Sequence, residues 1–166
     1  MLSRPNRALV RHRAADVALA AVPLVGGSVT GALTAGSIRT WYRGLTKPPW
    51  NPPDRVFAPV WTTLYLAMGV SLLRVSRLDR GRDDVRIGLA LFTLQLGLNF
   101  GWSFVFFGAR RPGLALAEIA ALDAAVVATI VSFRRLDGAA AGLLLPYLAW
   151  ISFATALTGS VWRLNR

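Results

Sequence analysis

The sequence predicts an all-α integral membrane protein, a single bundle of five transmembrane helices, and three observations carry that prediction. Hydrophobic residues make up 54% of the 166-residue chain, yet its formal net charge is +11. The charges collect between long uncharged runs, whereas a soluble basic protein would interleave them to make amphipathic faces. The runs themselves are each about as long as a helix that crosses the hydrocarbon core of a bilayer.

The first run, Val17 to Ile38, follows a cationic stretch, Met1 to Ala15, that holds Arg4, Arg7, Arg11 and Arg13. It is the length of a span, not of the short apolar core of a signal peptide, so it is expected to be retained. Gly27 and Gly31 form a GxxxG pair that allows close helix approach. Residues Arg39 to Arg55 then join the first two spans. Trp41, Tyr42, Pro48, Trp50, Pro52 and Pro53 give this segment its character. Proline fixes φ and removes a donor, so the whole stretch is expected to be an extended, stiff, cationic and aromatic loop, suited to a lid.

The second span is expected over Val56 to Leu73, with Pro59 acceptable in its first turn. Arg74 to Arg86 is a charged turn, and Ile87 to Ala109 is the third span, closed by Arg110-Arg111. Pro112 to Phe133 is the fourth, interrupted only by Glu118 and Asp123. Arg134, Arg135 and Asp137 mark the next turn, and Gly138 to Trp162 is the fifth span. With five spans the termini lie on opposite sides. Lys and Arg number eleven on the N-terminal side and eight on the other, which favours a cytoplasmic N-terminus and an external proline-rich loop.

Composition excludes several functions. There is no cysteine, and the single histidine, His12, sits in the basic stretch, so disulfides and thiolate metal sites are ruled out and no metal is expected. The arginines come without a basic face, a phosphate cradle or an aromatic RNA-binding signature, which argues against nucleic acid and for anionic lipid headgroups. No Ser/His/Asp set exists to support conventional hydrolase chemistry.

Within the spans, periodicity picks out inward faces. Gln95, Asn99, Trp102 and Phe106 form one stripe of the third span; a buried amide in a bilayer is costly unless partnered, so this stripe is expected to face the bundle interior. Trp61, Tyr65 and Met68 form a stripe on the second span, and Trp150, Ala154 and Leu157 one on the fifth. Trp41, Trp50 and Trp162 fit the interfacial belt, but Trp61, Trp102 and Trp150 lie deeper. Deep indoles serve either as core filler or as the wall of a pocket for a flat apolar ligand. Gly97 and Gly101 fall on the opposite face of the third span and read either as a homodimer seam or as a groove for another helix of the bundle. Glu118 and Asp123 lie ~140° apart around the fourth span and so cannot form a catalytic pair; Glu118 is expected to hydrogen-bond to another helix.

These residues together resemble the TspO/translocator protein family, the tryptophan-rich sensory proteins related to the peripheral benzodiazepine receptor. The resemblance rests on Trp41-Tyr42, Leu45, Lys47-Pro48, Trp50 and Pro52-Pro53; on Val60-Trp61 and Tyr65; on Gln95-Leu96, Asn99 and Trp102; on Phe106-Phe107-Gly108-Ala109-Arg110; and on Pro146 to Trp150 with Ala154-Thr155. It covers all five spans in order. It implies a pocket beneath the first loop, with Trp61, Tyr65, Phe106, Ile119, Ala154 and Leu157 at family ligand positions. It also implies a porphyrin ligand, protoporphyrin IX or a haem-type tetrapyrrole, and no required cofactor. A homodimer in a bacterial cell membrane and slow light-dependent porphyrin breakdown involving Trp61 and Trp150 are implied as well. Leu157-Thr158-Gly159 departs from the family's Leu-Asn-Tyr and weakens a sterol role. The function expected is a tetrapyrrole-binding sensor or regulator; the alternative is a transporter of porphyrin or another apolar molecule.

Overall fold

A computed structural model describes residues 7–166, with side chains from Arg13 onward. Met1 to Asn6, including Arg4, and the side chains of Arg7, Arg11 and His12 lie outside the described residues. Helix α1 spans Arg7–Ser37, α2 Asp54–Ser76, α3 Asp83–Ser103, α4 Pro112–Leu136, α5 Gly138–Gly142 and α6 Leu145–Leu164. Five segments are long and apolar enough to cross a membrane: Arg13–Arg39, Asp54–Ser76, Asp83–Gly108, Pro112–Leu136 and Gly138–Leu164. Among the described residues there is no strand.

The helices outrun the apolar stretches because charged residues ride in their terminal turns. Asp83 and Asp84 occupy the first turn of α3 and Arg134 and Arg135 the last turn of α4, each on the end of the helix dipole that favours its sign. The turn expected over Arg74 to Arg86 therefore shrinks to Arg77 to Arg82. Arg74 bridges to Asp137 at 2.8 Å and Arg77 to Asp16 at 2.6 Å, tying the end of α2 to the α4–α5 junction and to α1.

Two expectations are corrected by the backbone. The segment from Arg39 to Arg55 is not extended throughout. Helix α1 continues through a π-helical turn, Ile38–Tyr42, and on to Gly44, so Trp41 and Tyr42 are helical and only residues 45–53 form a loop. The first proline is Pro48, and its constraint reaches back only one residue, which leaves Arg39 to Gly44 free to stay helical. The fifth run is likewise two helices. Asp137 caps α5 by accepting from the Ala140 N–H at 3.0 Å, the chain turns at Leu143 and Leu144, and Pro146 begins α6 in a first turn that needs no donor from it.

The close backbone approaches are α1 on α2, α3 on α4 and α4 on α6. Two apolar clusters result. The deeper one includes Met68, Val75, Phe92, Phe133, Tyr147 and Ile151. The shallower one, under the loop, contains Tyr42, Phe106, Ala115, Leu157 and Val161. Large apolar side chains such as Val25, Leu33, Leu66, Leu94 and Val131 stand exposed around the outside, the surface a helix presents to lipid.

Candidate functional site

Between α1, α2, α3 and α6 lies a cavity of about 460 Å³, within the range of small-molecule sites. Helix α2 contributes Trp61 and Tyr65, α3 contributes Asn99 and Trp102, and Phe106 follows from the π-helical turn Phe104–Gly108. Ile119 of α4 and Trp150, Ala154 and Leu157 of α6 complete the set named from the sequence, and all nine line this one cavity. Met68, of the same α2 stripe, is fully buried in the deeper cluster instead.

Aromatic side chains make most of the wall. Trp61 stacks on Tyr65 with ring centres 5.2 Å apart and meets Trp150 edge-on at 6.5 Å. Trp150 continues to Phe57 at 5.8 Å and to Phe153 at 5.4 Å. On the other side Trp102 stacks on Phe106 at 5.0 Å. Such pairs add to area burial and fix ring orientation. The polar point of the wall is a hydrogen bond from the Tyr65 hydroxyl to Asn99 Oδ1, 2.8 Å and buried. Beyond it, Gln95 is buried with neither amide atom hydrogen-bonded within the described residues, and the Tyr147 hydroxyl is likewise unpartnered.

The loop covers one end. Tyr42 lines the cavity, packs edge-on to Phe106 at 5.9 Å, and donates to Asn51 Oδ1 at 3.3 Å. Burial pushes its phenol pKa up, and the Asp54 carboxylate adds to the shift. Trp41 meets Phe106 at 5.7 Å and Trp50 meets Phe153 at 5.7 Å. Pro48 is buried, while Pro52 and Pro53 lead into α2, with Pro53 at its N-cap. The loop is fastened by a residue the sequence did not single out: Asn165, past the end of α6, accepts from the Thr46 N–H at 2.9 Å and donates to its carbonyl at 2.8 Å. A second tie joins the end of α1 to the π-helical turn Phe104–Gly108, where Ser37 Oγ donates to the Phe107 carbonyl at 2.5 Å. A π-helical turn has no sequence signature comparable to a proline, and such turns gather at functional sites.

Gly101 takes the second of its two expected roles, and Glu118 departs from its expected one. Gly97 is exposed with open space beside it, but a Cβ on Gly101 would lie 2.6 Å from Glu118 Oε1 of α4. The two glycines do not share one outward seam; Gly101 makes room for a neighbouring helix within the bundle. Glu118 meets no hydrogen-bond donor, and its Oε2 is buried and unpartnered among the described residues. The inter-helix bonding expected of it belongs to Asp123, which accepts from Ser152 at 3.1 Å and Thr155 at 2.7 Å on α6. No group of three or more metal-ligating side chains occurs among the described residues.

A sequence model described as the TspO/MBR family matches residues 19–163. The chain is 43% identical over 144 residues to the Translocator protein of Homo sapiens, covering 86% of this chain and 85% of that one. It is 40% identical over 138 residues to the Tryptophan-rich sensory protein of Cereibacter sphaeroides, covering 83% and 84%. Protein CrtK of Rhodobacter capsulatus is 37% identical over 151 residues, covering 90% and 94%.

Proposed function

This chain belongs to the TspO/MBR family of multi-pass integral membrane proteins, and from that premise we propose that it is a tetrapyrrole-binding sensor or regulator whose ligand sits in the aromatic cavity. The observation that carries the reading is the cavity wall: Trp61, Tyr65, Trp102, Phe106 and Trp150 face one hollow that a lid loop covers at one end. Flat aromatic faces around an apolar space suit a flat apolar guest, and Tyr65 and Asn99, buried in the wall among them, hydrogen-bond to each other. The names of relatives, such as Tryptophan-rich sensory protein, support a sensing role.

Titration with protoporphyrin IX is expected to quench tryptophan fluorescence at nanomolar to micromolar ligand, and the Trp61→Phe/Trp150→Phe double variant is expected to lose that quenching. Unchanged quenching in the double variant removes the assigned site. Trp61 and Trp150 are the paired indoles of the wall. Slow bleaching of the Soret band under light in air, slower in the double variant, is the expected photochemical behaviour.

The reading also places the N-terminus in the cytoplasm of a bacterial cell, on the eleven-to-eight bias in Lys and Arg. The chain has no cysteine, so single cysteines at Gly81 and at Trp50 report topology directly. An impermeant thiol reagent applied to intact cells is expected to label the second and spare the first.

A further inference from the structure

Arg39 and Arg43 stand about one helical turn apart on the stretch that carries α1 into the loop, and both line the mouth of the cavity. Both are exposed, and neither side chain has an ion-pair or hydrogen-bond partner among the described residues. The four ion pairs of the molecule's described part, from Arg74, Arg77, Arg82 and Arg86, all lie at the opposite end. At the lid end the sequence supplies one carboxylate, Asp54, against eight Lys and Arg. Asp54 also lines the mouth, in the first turn of α2, without closing on either guanidinium. Lys47 is already engaged, lying 4.6 Å over the Tyr42 ring and donating to the Leu45 carbonyl at 3.2 Å.

Two like charges at this helical spacing repel each other, so the pair does nothing for the stability of its own helix. It does place two planar donor forks, the geometry that holds a carboxylate, at the rim of an apolar aromatic hollow. We propose that Arg39 and Arg43 form a carboxylate clamp, and that the ligand of this cavity is an amphiphile whose flat apolar body lies in the hollow against Trp61 and Trp150 while its anionic end stays at the mouth. The clamp rests on the tetrapyrrole reading above and narrows it: the propionate edge of the macrocycle points toward the lid, and the apolar edge points toward Tyr65 and Asn99.

The test compares protoporphyrin IX, which carries two propionates, with its dimethyl ester, which carries none. Both are titrated by tryptophan quenching in nonionic detergent free of phospholipid, so that no phosphate headgroup occupies the clamp. The acid is expected to bind about tenfold more tightly than the ester, as two charge-assisted pairs at an exposed rim allow. In Arg39→Gln/Arg43→Gln the acid-to-ester ratio is expected to fall to near one. Arg134→Gln/Arg135→Gln, at the far end of α4, is expected to keep it. A ratio near one in the unaltered protein, or a preference kept in the Arg39/Arg43 variant, overturns the clamp while leaving the cavity reading intact. Equal loss in the Arg134/Arg135 variant also overturns it, by assigning the preference to net charge. Binding of neither compound overturns the cavity reading and the clamp together.

Discussion

The Tyr65–Asn99 hydrogen bond sets the polar point of the cavity wall, and its worth can be measured by a double-mutant cycle. The two side chains are 9% and 4% exposed, and the bond is 2.8 Å long, so water does not compete for either partner. Asn99→Leu strands a buried phenol hydroxyl, which costs roughly 1–3 kcal/mol, and Tyr65→Phe strands the amide oxygen at a similar or smaller cost. With both changed, nothing polar is stranded, so the double variant is expected to be more stable than the sum of the single losses implies. Hydrogen bonds between membrane helices couple by about 0.6 kcal/mol on average and about 1.7 kcal/mol at most, because the unfolded chain in a detergent or bilayer also finds partners. Short and buried, this one is expected in the upper half of that range. Equilibrium unfolding of the four proteins in mixed micelles measures it, and additivity within about 0.3 kcal/mol refutes the claim that the bond is formed and buried.

The other expectations concern backbone and caps. A Cβ at Gly69 would run into the backbone carbonyl of Ala20, so Gly69→Ala is expected to cost about 1–3 kcal/mol, while Gly97→Ala, with open space, is expected to be neutral or to stabilise by up to about 1 kcal/mol; chemical unfolding compares the two. Arg110 has φ 56°, in the left-handed region between α3 and α4, so Arg110→Val is expected to lower stability by about 1–2 kcal/mol and Arg110→Gly to leave it unchanged or slightly raised, read by the same unfolding measurement. The Asp137 carboxylate is held below its ordinary pKa by the Ala140 N–H and then by Arg74. A depressed folded-state pKa gives stability that is present above the ordinary carboxylate range and lost as pH falls through the folded value. Asp137→Ala is therefore expected to cost about 1 kcal/mol at neutral pH, mostly from the cap because Arg74 is half exposed, with the gap to the unaltered protein closing below about pH 4.

Much of the fold was legible because a bilayer imposes a length and forbids stray charge, and five uncharged runs satisfy that on sight. The inward stripes were legible for a related reason: Gln95 and Asn99 have no tolerable place against lipid, so Trp102 and Phe106 on the same stripe had to face inward too. What the sequence concealed was which neighbour each face would meet. Glu118 and Asp123 are alike as symbols, and only the packing of α4 assigns one to Gly101 and the other to two hydroxyls on α6. Arg39 and Arg43 fell, in sequence, within a segment expected to be extended; the helix carrying them continues past Ser37 and sets both at the cavity mouth.

The way α1 meets α2 and α3 explains why a cavity exists at all. At Gly26, Gly27 and Gly69 a Cβ would collide with Phe100, Tyr65 and Ala20, so in this stretch the helices touch at distances only glycine permits. One turn further toward the lid, Gly31 meets nothing and lines the hollow. The GxxxG pair of the first span is therefore split in use: Gly27 draws α1 onto Tyr65, and Gly31 faces the hollow while α1 runs on to pack against the end of the third span through Ser37 and Tyr42. Beyond that point Thr34, Ile38 and Tyr42 line the hollow, and the loop that Asn165 ties down covers its end. Helices α2 and α6 meet there through Trp61 and Trp150 rather than through close backbone approach, so truncating either indole enlarges a void already present. The pocket and the lid thus follow from one change in spacing along a single helix, and the aromatic residues stand where that change leaves room for them.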